Sequence, residues 1–306
     1  MNILVTGSTG MIGSALIEDL KSNGHRITRL VRSPLPSNEP AVQWNPDTGS
    51  LNASEIEGCE AAVHLAGESI AGGRWTAEKK KRIRDSRIKG TRLLSETLAK
   101  LAKPPQVLVC ASAMGYYGDR GDEILREQSA AGTGFLPEVC QQWETAADPA
   151  RQKGIRVVHL RFGLVLSPKG GALAKMLLPF KLGAGGIIGD GKQFWSWISL
   201  NDVIGAIRHA LTTASVEGPV NVVAPAAVTN HEFTKTLGRV LSRPTVFPMP
   251  AFVARLALGE MAEALLLSSA RLEPARLLTT GYRFHHSELE SALKDLLVKI
   301  KSNHSH

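Results

Sequence analysis

Cysteine is scarce in this chain, and its distribution argues against two kinds of site. Cys59, Cys110 and Cys140 share no short spacing, whereas disulfide frameworks and CxxC metal sites need cysteines at close intervals. The histidines are scattered as well, with no HExxH pair of the kind that binds zinc. We therefore predict no metal centre, and a reducing, cytoplasmic location for the protein.

Long apolar runs are also missing. No stretch is apolar over the roughly 20 residues that a membrane-spanning helix needs, and no basic and apolar leader precedes the first apolar segment at residues 3–6. These absences argue against a signal peptide and against a membrane partner. The hydrophobic content of 43% and the charged content of 21% are typical of a chain with a packed core.

The net charge of +8 raises the question of nucleic-acid binding. Much of the excess lies in residues 74–103, which contain eleven Lys and Arg against three acidic residues. No zinc-finger, RRM or interleaved aromatic–basic pattern accompanies this charge. We interpret the segment as the solvated face of one long helix and predict no nucleic-acid partner.

Strand-like and helical segments alternate through the first half of the chain. Strands are predicted at residues 3–6, 26–31, 61–65, 106–111 and 156–162, and helices at 12–22, 77–102 and 138–153. This alternation predicts a parallel sheet covered by helices on both faces. The glycine-rich segment 179–203 is predicted to be mostly loop, followed by a helix from about 200 to 212 and a strand at 220–223.

The fold class that follows is α/β, a Rossmann-type doubly wound parallel sheet with a smaller, mostly helical C-terminal domain. We assign residues 1–165 to the sheet domain, together with residues from about 197 to 224, where the chain returns to the sheet. Residues 166–196 and 225–306 are assigned to the smaller domain, which would close over a substrate.

Gly7, Gly10 and Gly13 lie between the first strand and the first helix. Glycines at such a turn allow a tight bend, close approach of a pyrophosphate, and close packing of helix on strand. The helix N-terminus then offers unpaired N–H groups to the phosphates. The spacing is GxxGxxG rather than GxGxxG, but its place after the first strand favours a dinucleotide site over an ordinary turn.

Several motifs resemble those of a known family. TGSTGMIG (6–13) resembles the TGxxGxxG of extended short-chain dehydrogenases/reductases, and VHLAG (63–67) resembles their fourth-strand motif. AGESIAGGRWTAEKKKRIRDSRIKGT, SAMGYYGDRGDE and GKQFWSWI are similar to an epimerase-like subfamily labelled NAD-dependent epimerase/dehydratase, over nearly the whole chain. The resemblance implies that the cofactor contacts Gly7, Thr9, Gly10, Met11, Ile12, Gly13, Leu65, Ala66, Gly67 and Glu68.

The second predicted strand indicates which dinucleotide binds. An NAD site usually has an acidic residue about 20 residues past the glycines, bonded to the ribose hydroxyls. Here no acid lies between Lys21 and Asn38, and Arg32 stands at the end of the strand. Because a guanidinium can pair with a 2′-phosphate, we predict NADP(H), against the alternative of an ordinary surface arginine.

Further residues are assigned to the nicotinamide end. Arg87 lies on the apolar face of the long helix, where an unpaired charge is costly; it either forms a salt bridge or contacts the cofactor. Ser112 matches the family's catalytic serine, and the segment Arg161, Gly163, Leu164, Val165 resembles the one beneath the nicotinamide carboxamide. Gly163 would permit close backbone approach.

The family's YxxxK catalytic pair is absent. Arg120, Gly121 and His286 stand four residues after the three tyrosines, Tyr116, Tyr117 and Tyr282. In the expected helix, 134–150, the pair would fall at Leu136 and Cys140 or at Val139 and Trp143. Either register lacks the phenol that serves as acid/base in relatives, and the lysine that lowers its pKa.

Ser112 together with Tyr117 or Tyr116 could replace the missing pair, and Arg120 could then lower the pKa of the phenol. Alternatively, both tyrosine rings only pack the loop. On the substrate side, Trp195 and Trp197 either stack a planar ligand or form core. The sequence thus predicts an NADP(H)-binding oxidoreductase or epimerase acting on an unidentified small substrate, as monomer or homodimer. The alternative is an NADP(H)-binding regulatory or scaffold protein with little turnover.

Overall fold

The computed structural model describes residues 1–34 and 40–302, and one large sheet organises them. Its strands are β1 (Asn2–Thr6), β2 (Arg26–Val31), β3 (Ala41–Asn45), β4 (Ser50–Leu51), β5 (Ala61–His64), β6 (Val107–Ala113), β8 (Arg156–Phe162) and β12 (Gly218–Val222). Three short pairs lie outside it, formed by β7 (Ile124–Leu125) with β14 (Arg271–Leu272), β9 (Leu164–Leu166) with β11 (Trp197–Ser199), and β10 (Phe194–Trp195) with β13 (Val228–Thr229).

The strand order confirms the predicted doubly wound sheet. The order is β12-β8-β6-β5-β1-β2-β3-β4, parallel throughout except for the terminal β3–β4 pair. The chain reverses its direction of travel across the sheet between β1 and β5. Such a reversal opens a crevice at the carboxyl ends of the two strands, where ligands bind in open α/β sheets.

Helices cover both faces of this sheet. They are α1 (Met11–Ser22), α2 (Ala77–Lys100), α3 (Phe135–Thr145), α4 (Asp148–Gln152), α5 (Gly171–Lys181), α6 (Leu200–Thr212), α7 (Asn230–Leu241), α8 (Ala251–Leu258), α9 (Glu260–Ala262), α10 (Ala275–Thr279) and α11 (Leu289–Ser302). Alternate residues of β1 point to opposite faces, so Ile3 and Val5 pack with α1 and α6, while Leu4 packs with α2 and α4.

A third apolar cluster joins α5, α7 and α11 to β10 and β11. Phe180, Phe233 and Leu293 are buried in it together with both tryptophans of the FWSW segment. The C-terminal region is therefore largely helical, as predicted. The division of the chain into two domains at residues 165, 197 and 224 stays a prediction.

Two predicted elements are corrected by the structure. The helix predicted over 138–153 is two helices, α3 and α4, because Pro149 lies in the first turn of α4, and a proline cannot donate the hydrogen bond that would continue the preceding helix. The loop predicted over 179–203 is confirmed for residues 182–193, but the segment also contains the end of α5, the strands β10 and β11, and the start of α6. No helix in the described part of the chain is long and apolar enough to cross a membrane.

The close packing of α1 on the preceding turn gives a stability prediction. A Cβ on Gly13 would lie 2.2 Å from the carbonyl oxygen of Gly7, whereas a Cβ on Gly10 would meet that oxygen at 3.3 Å. We expect Gly13→Ala to lower the free energy of unfolding by about 1–3 kcal/mol, the usual cost of overpacking. Gly10→Ala is the matched control and should change it by less than about 0.5 kcal/mol. Urea denaturation measures both, and equal losses would contradict the packing explanation.

Candidate functional site

The glycine turn uses its three glycines for different purposes. Gly7 has a φ of +67°, and a Cβ there would lie 2.6 Å from the carbonyl carbon of Leu65. Gly7 and Gly13 are therefore required by the packing of the chain itself. Gly10 is exposed, and the oxygen of Gly7 is the one described atom near its missing Cβ. Its backbone is thus left open to a ligand.

The N-terminus of α1 is uncapped. Gly10 is its N-cap and supplies no side-chain hydrogen bond, and the first turn contains no acidic residue. The first N–H groups of a helix have no acceptor within the helix, so those at Met11, Ile12 and Gly13 are available together with the positive end of the helix dipole. Thr9 beside them is exposed. This arrangement suits a phosphate or pyrophosphate.

Thr6 fixes the two strands on either side of the crevice. Its hydroxyl lies 2.7 Å from Nδ1 of His64 and accepts hydrogen bonds from the N–H groups of Leu65 and Ala66. Burial lowers the pKa of His64 to about 4, so the ring is neutral. The end of β5 is thereby held against the glycine turn, and the backbone leads directly to Gly67.

A group of cations lies around Glu68, in the segment that follows β5. Lys79 donates to Glu68 Oε1 over 2.6 Å. This hydrogen bond, with the charges of Lys79, Arg82 and Arg32, holds the pKa of Glu68 below its usual range. Arg32 follows the last residue of β2 and is exposed, so its guanidinium is accessible at the edge where the strands end.

Arg87 points toward the crevice from α2. Its Nη1 donates to the carbonyl oxygens of Glu68 and Ile83, and its guanidinium lies 5.0 Å from the ring centroid of Trp143. Burial lowers its pKa, and no carboxylate forms an ion pair with it in the described part of the chain. Of the two alternatives raised for Arg87, a salt bridge is therefore absent, and an anion would satisfy this charge.

The helix on which the YxxxK pair was expected, α3, presents other groups. Leu136 packs against Gly115, and Sγ of Cys140 lies 3.9 Å from the carbonyl oxygen of Ala113, so the first of the two predicted registers applies. Burial raises the pKa of Cys140 to about 12, which keeps the thiol neutral. An isobutyl group and a neutral thiol thus occupy this face.

One helical turn beyond Cys140, the same face of α3 presents Glu144. Ser112 donates its hydroxyl to Glu144 Oε1 over 2.7 Å, and Arg161 donates to both carboxylate oxygens over 2.8 Å. Burial alone would raise the pKa of Glu144, but the hydrogen bonds and charge of Arg161 hold it below its usual range. Glu144 is therefore ionised, and the single proton of Ser112 points at it rather than at the crevice.

Tyr117 is fully buried rather than open to the crevice. Its hydroxyl donates to Asn221 Oδ1 over 2.7 Å and accepts from Nη1 of Arg161 over 2.8 Å. Burial raises its pKa to about 12. The prediction that Arg120 lowers a tyrosine pKa is wrong for this phenol, because Arg120 is paired with Glu123 and Arg161 is the adjacent cation.

Tyr116 differs from its neighbour. It is half-buried, and the guanidinium of Arg161 lies 3.4 Å from its ring centroid. No hydrogen bond engages its hydroxyl in the described part of the chain. Of the two adjacent tyrosines, Tyr116 is thus the one whose hydroxyl has no hydrogen-bond partner among the described residues.

The segment after β8 is held by the chain itself. A Cβ on Gly163 would lie 2.4 Å from the carbonyl oxygen of Ser196, and Leu164 donates its N–H to that oxygen. The close approach predicted at Gly163 is therefore to Ser196, the residue between β10 and β11. Leu164 and Val165 are half-buried beside it. The Arg161 side chain is 2% exposed and already bonded to Glu144, Tyr117 and the Glu127 carbonyl.

The substrate side contains fewer accessible aromatics than the sequence allowed. Trp197 is fully buried and donates to the carbonyl of Ala226, and Trp195 packs edge-on against Phe233. Both belong to the core, which decides between the two alternatives. Phe194 is half-buried beneath the guanidinium of Arg271. No cluster of His, Cys, Asp or Glu within residues 1–34 and 40–302 is arranged to bind a metal ion.

Comparisons with known proteins agree with this geometry. A model of the NAD dependent epimerase/dehydratase family matches residues 3–224, and a domain of unknown function, DUF1731, matches residues 249–296. The chain is 42% identical to epimerase family protein Mb2239 of Mycobacterium bovis, over 95% of this chain and 96% of that protein.

Two solved structures are similar over nearly the whole chain. Human epimerase family protein SDR39U1, crystallised with NADPH, superimposes with a TM-score of 0.89 at 36% identity, covering 97% of this chain and 99% of that chain. A nucleoside-diphosphate sugar epimerase from Corynebacterium glutamicum gives 0.79 at 34% identity, covering 97% and 58%. The chain therefore belongs to the NAD dependent epimerase/dehydratase family.

Proposed function

We propose that the protein binds NADP(H) and acts as an oxidoreductase or epimerase on a small substrate. The observation that carries the proposal is the crevice between β1 and β5, which combines an uncapped helix N-terminus with two cations, Arg32 and Arg87, that form no ion pair in the described part of the chain. A dinucleotide phosphate has anionic groups at matching places: a pyrophosphate in its centre and a 2′-phosphate at its adenosine end. The human relative crystallised with NADPH supports this choice.

The adenosine end favours NADPH over NADH. Arg32 supplies an exposed guanidinium, which can form charge-assisted hydrogen bonds to a 2′-phosphate. Glu68 would repel that phosphate, but Lys79 neutralises it through a 2.6 Å ion pair. The local charge at this end is therefore positive.

Arg87 takes over the cofactor-holding part of the missing lysine. It lies beside Cys140, where the lysine of the YxxxK pair would stand, and reaches the crevice from α2 instead of α3. Its contacts to the Glu68 and Ile83 carbonyls leave other guanidinium N–H groups for a ribose or phosphate oxygen. The bound cofactor would supply or accept a hydride at this end of the crevice.

The proton chemistry would fall to Ser112 and Tyr116. Because Ser112 donates to ionised Glu144, its oxygen offers lone pairs to a substrate group, and it suits a substrate hydroxyl better than a carbonyl. Tyr116 is the remaining hydroxyl donor. Neither has the neighbouring lysine that tunes a catalytic phenol, so any acid–base assistance is weaker than in relatives that retain the pair.

A second candidate function is a cofactor-binding regulator or scaffold with little turnover. The observation that favours it is the face of α3, where Leu136 and Cys140 replace the catalytic pair while the cofactor crevice is retained. Tyr117, the other tyrosine predicted as a hydroxyl donor, is buried in the core and hydrogen-bonded to Asn221 and Arg161.

The cofactor choice is tested at the adenosine end. Arg32→Ala should weaken NADPH binding by about 1–3 kcal/mol, the scale of a charge-assisted hydrogen bond, and leave NADH binding nearly unchanged. Arg26→Ala, an exposed arginine at the opposite end of β2, is the control and should affect neither. Isothermal calorimetry measures the affinities of wild type and both variants for each cofactor. Equal losses for NADPH and NADH would overturn the assignment of Arg32.

The role of Arg87 predicts a different pattern. Arg87→Gln should weaken NADPH and NADH by similar amounts, about 1–3 kcal/mol each, because it removes a charge-assisted contact that both cofactors share. Lys89→Gln, which alters an exposed pair with Asp85 on the same helix, serves as the control. Unchanged affinities in the Arg87 variant, with its melting temperature preserved, would show that the cation serves only the packing of α2.

The two candidate functions are separated by turnover. Wild-type protein is mixed with NADPH and with a panel of aldehydes, ketones and UDP-sugars, and cofactor absorbance is followed. If it is an oxidoreductase, Ser112→Ala with Tyr116→Phe should lower turnover by about 10²–10⁴-fold and keep NADPH affinity.

Tyr117→Phe is the comparison in that experiment. It should lower the free energy of unfolding by about 1–3 kcal/mol, because Asn221 and Arg161 lose a buried partner. If NADPH binding is intact, but no panel member oxidises NADPH and chromatography shows no UDP-sugar converted to its epimer in the presence of NADP⁺, the regulatory function is favoured. Robust wild-type turnover that the Ser112 and Tyr116 substitutions leave unchanged would refute the assigned roles.

A further inference from the structure

Most of the strongly exposed apolar side chains lie together in the C-terminal region. The apolar surface, as we call it, consists of Val246, Phe247, Met249, Phe252, Val253 and Leu256. Phe247, Phe252 and Leu256 are 64%, 68% and 75% exposed. Single exposed apolar residues are normal on a protein, but a contiguous group usually marks an interaction site.

The backbone beneath the apolar surface is fixed. Met249 donates its N–H to the carbonyl of Ile187 and accepts from the N–H of Gly189, so the segment 246–249 lies along residues 187–189. On α8, Phe252, Val253 and Leu256 are exposed while Ala254 is buried. These side chains are therefore presented outward by a held backbone.

The charge around the apolar surface has one predominant sign. Segments 178–192 and 243–257 contain the cations Lys181, Lys192, Arg243 and Arg255 against a single carboxylate, Asp190. Arg255 is paired with Glu263. Lys181 and Arg243 are exposed, and Arg243 donates to the backbone carbonyl of Lys181, which places the two cations side by side. The surface is thus apolar with a basic margin.

We propose that the apolar surface binds the interface of a membrane that contains anionic lipids. Exposed aromatic and aliphatic side chains enter the boundary between headgroups and acyl chains, and neighbouring cations are attracted to anionic headgroups. A second copy of the chain fits less well. A two-fold contact through this surface would pair a surface with a net positive margin with itself, and like charges repel.

The apolar surface lies next to the cofactor crevice. Arg74, in the loop after β5, donates to the carbonyl of Leu256 over 2.8 Å, and Lys80 of α2 pairs with Glu260 over 2.8 Å. Membrane contact would therefore place the side of the molecule that carries the crevice near the lipid. The proposal does not depend on the assigned cofactor or on turnover.

The test is co-sedimentation of the full chain with lipid vesicles. Wild-type protein should pellet with vesicles of phosphatidylcholine and phosphatidylglycerol mixed at about three to one, and far less with pure phosphatidylcholine, because basic residues near a surface respond to anionic lipid. Phe247→Ser with Phe252→Ser should reduce the bound fraction at least about tenfold through the loss of buried apolar area. Leu278→Ser, which removes a 51% exposed leucine of α10, is the matched control and should bind like wild type.

The charged margin is tested separately. Lys181→Gln with Arg243→Gln should remove the preference for anionic vesicles, and added salt should do the same to wild type. Thermal melting confirms that every variant is folded. Wild-type protein that stays in the supernatant with both vesicle types would overturn the proposal. So would an equal loss in the Leu278 variant, or a wild-type dimer that the Phe247 and Phe252 substitutions dissociate.

Discussion

The buried ion pair between Arg161 and Glu144 is the contact on which the part of the crevice around Ser112 depends. It joins β8 to α3, and its fork-to-fork geometry offsets the cost of taking two charges out of water. Ser112 and Tyr117 complete its hydrogen bonds from β6 and the turn after it. Loss of either charge would leave the other buried and unpaired. This face of α3 is therefore constrained by the stability of the fold, independently of any catalytic role.

The lysine that the family resemblance leads one to expect on α3 is absent, and the cation at this place, Arg87, extends from α2. With a neutral thiol at Cys140, the guanidinium of Arg87 can lie over the Trp143 ring and still reach the backbone at Glu68. A cation at that edge can still attract an anionic cofactor. It provides no proton of suitable pKa, because a guanidinium stays protonated. On the proposed function, cofactor binding and proton transfer would therefore be served by different residues in this chain.

Much of the fold could be predicted because it depends on local periodicity. The strand at 26–31, the strand at 156–162 and the helix at 200–212 were predicted with their observed bounds, since each is a patterned segment ended by turn residues. The inward direction of Arg87 followed from helical spacing in the same way. Strands of only two residues, such as β10 and β13, are too short to show such a pattern. These two strands pair because of the way the FWSW segment packs.

The parts of the site that could not be predicted depend on tertiary contacts. Glu144 lies eight residues after Leu136 and so shares its face of α3, but its importance comes from Arg161 and Ser112, which belong to two other strands. Tyr116 and Tyr117 are neighbours in a loop, where no period tells which ring is buried. The distinction came from Asn221, more than a hundred residues away in sequence.

The same limit explains the apolar surface. The sequence of α8, AFVARLAL, has the composition of a core helix, and an argument from long apolar runs tests only for a segment that spans a bilayer. What exposes Phe252 and Leu256 is the placement of α8. Arg74 ties Leu256, near the C-terminal end of the helix, to the loop after β5, and the Lys80–Glu260 pair ties the residues just beyond that end to α2. These polar ties anchor the helix without covering its apolar side chains, so its outer face is free to be buried in something other than the protein.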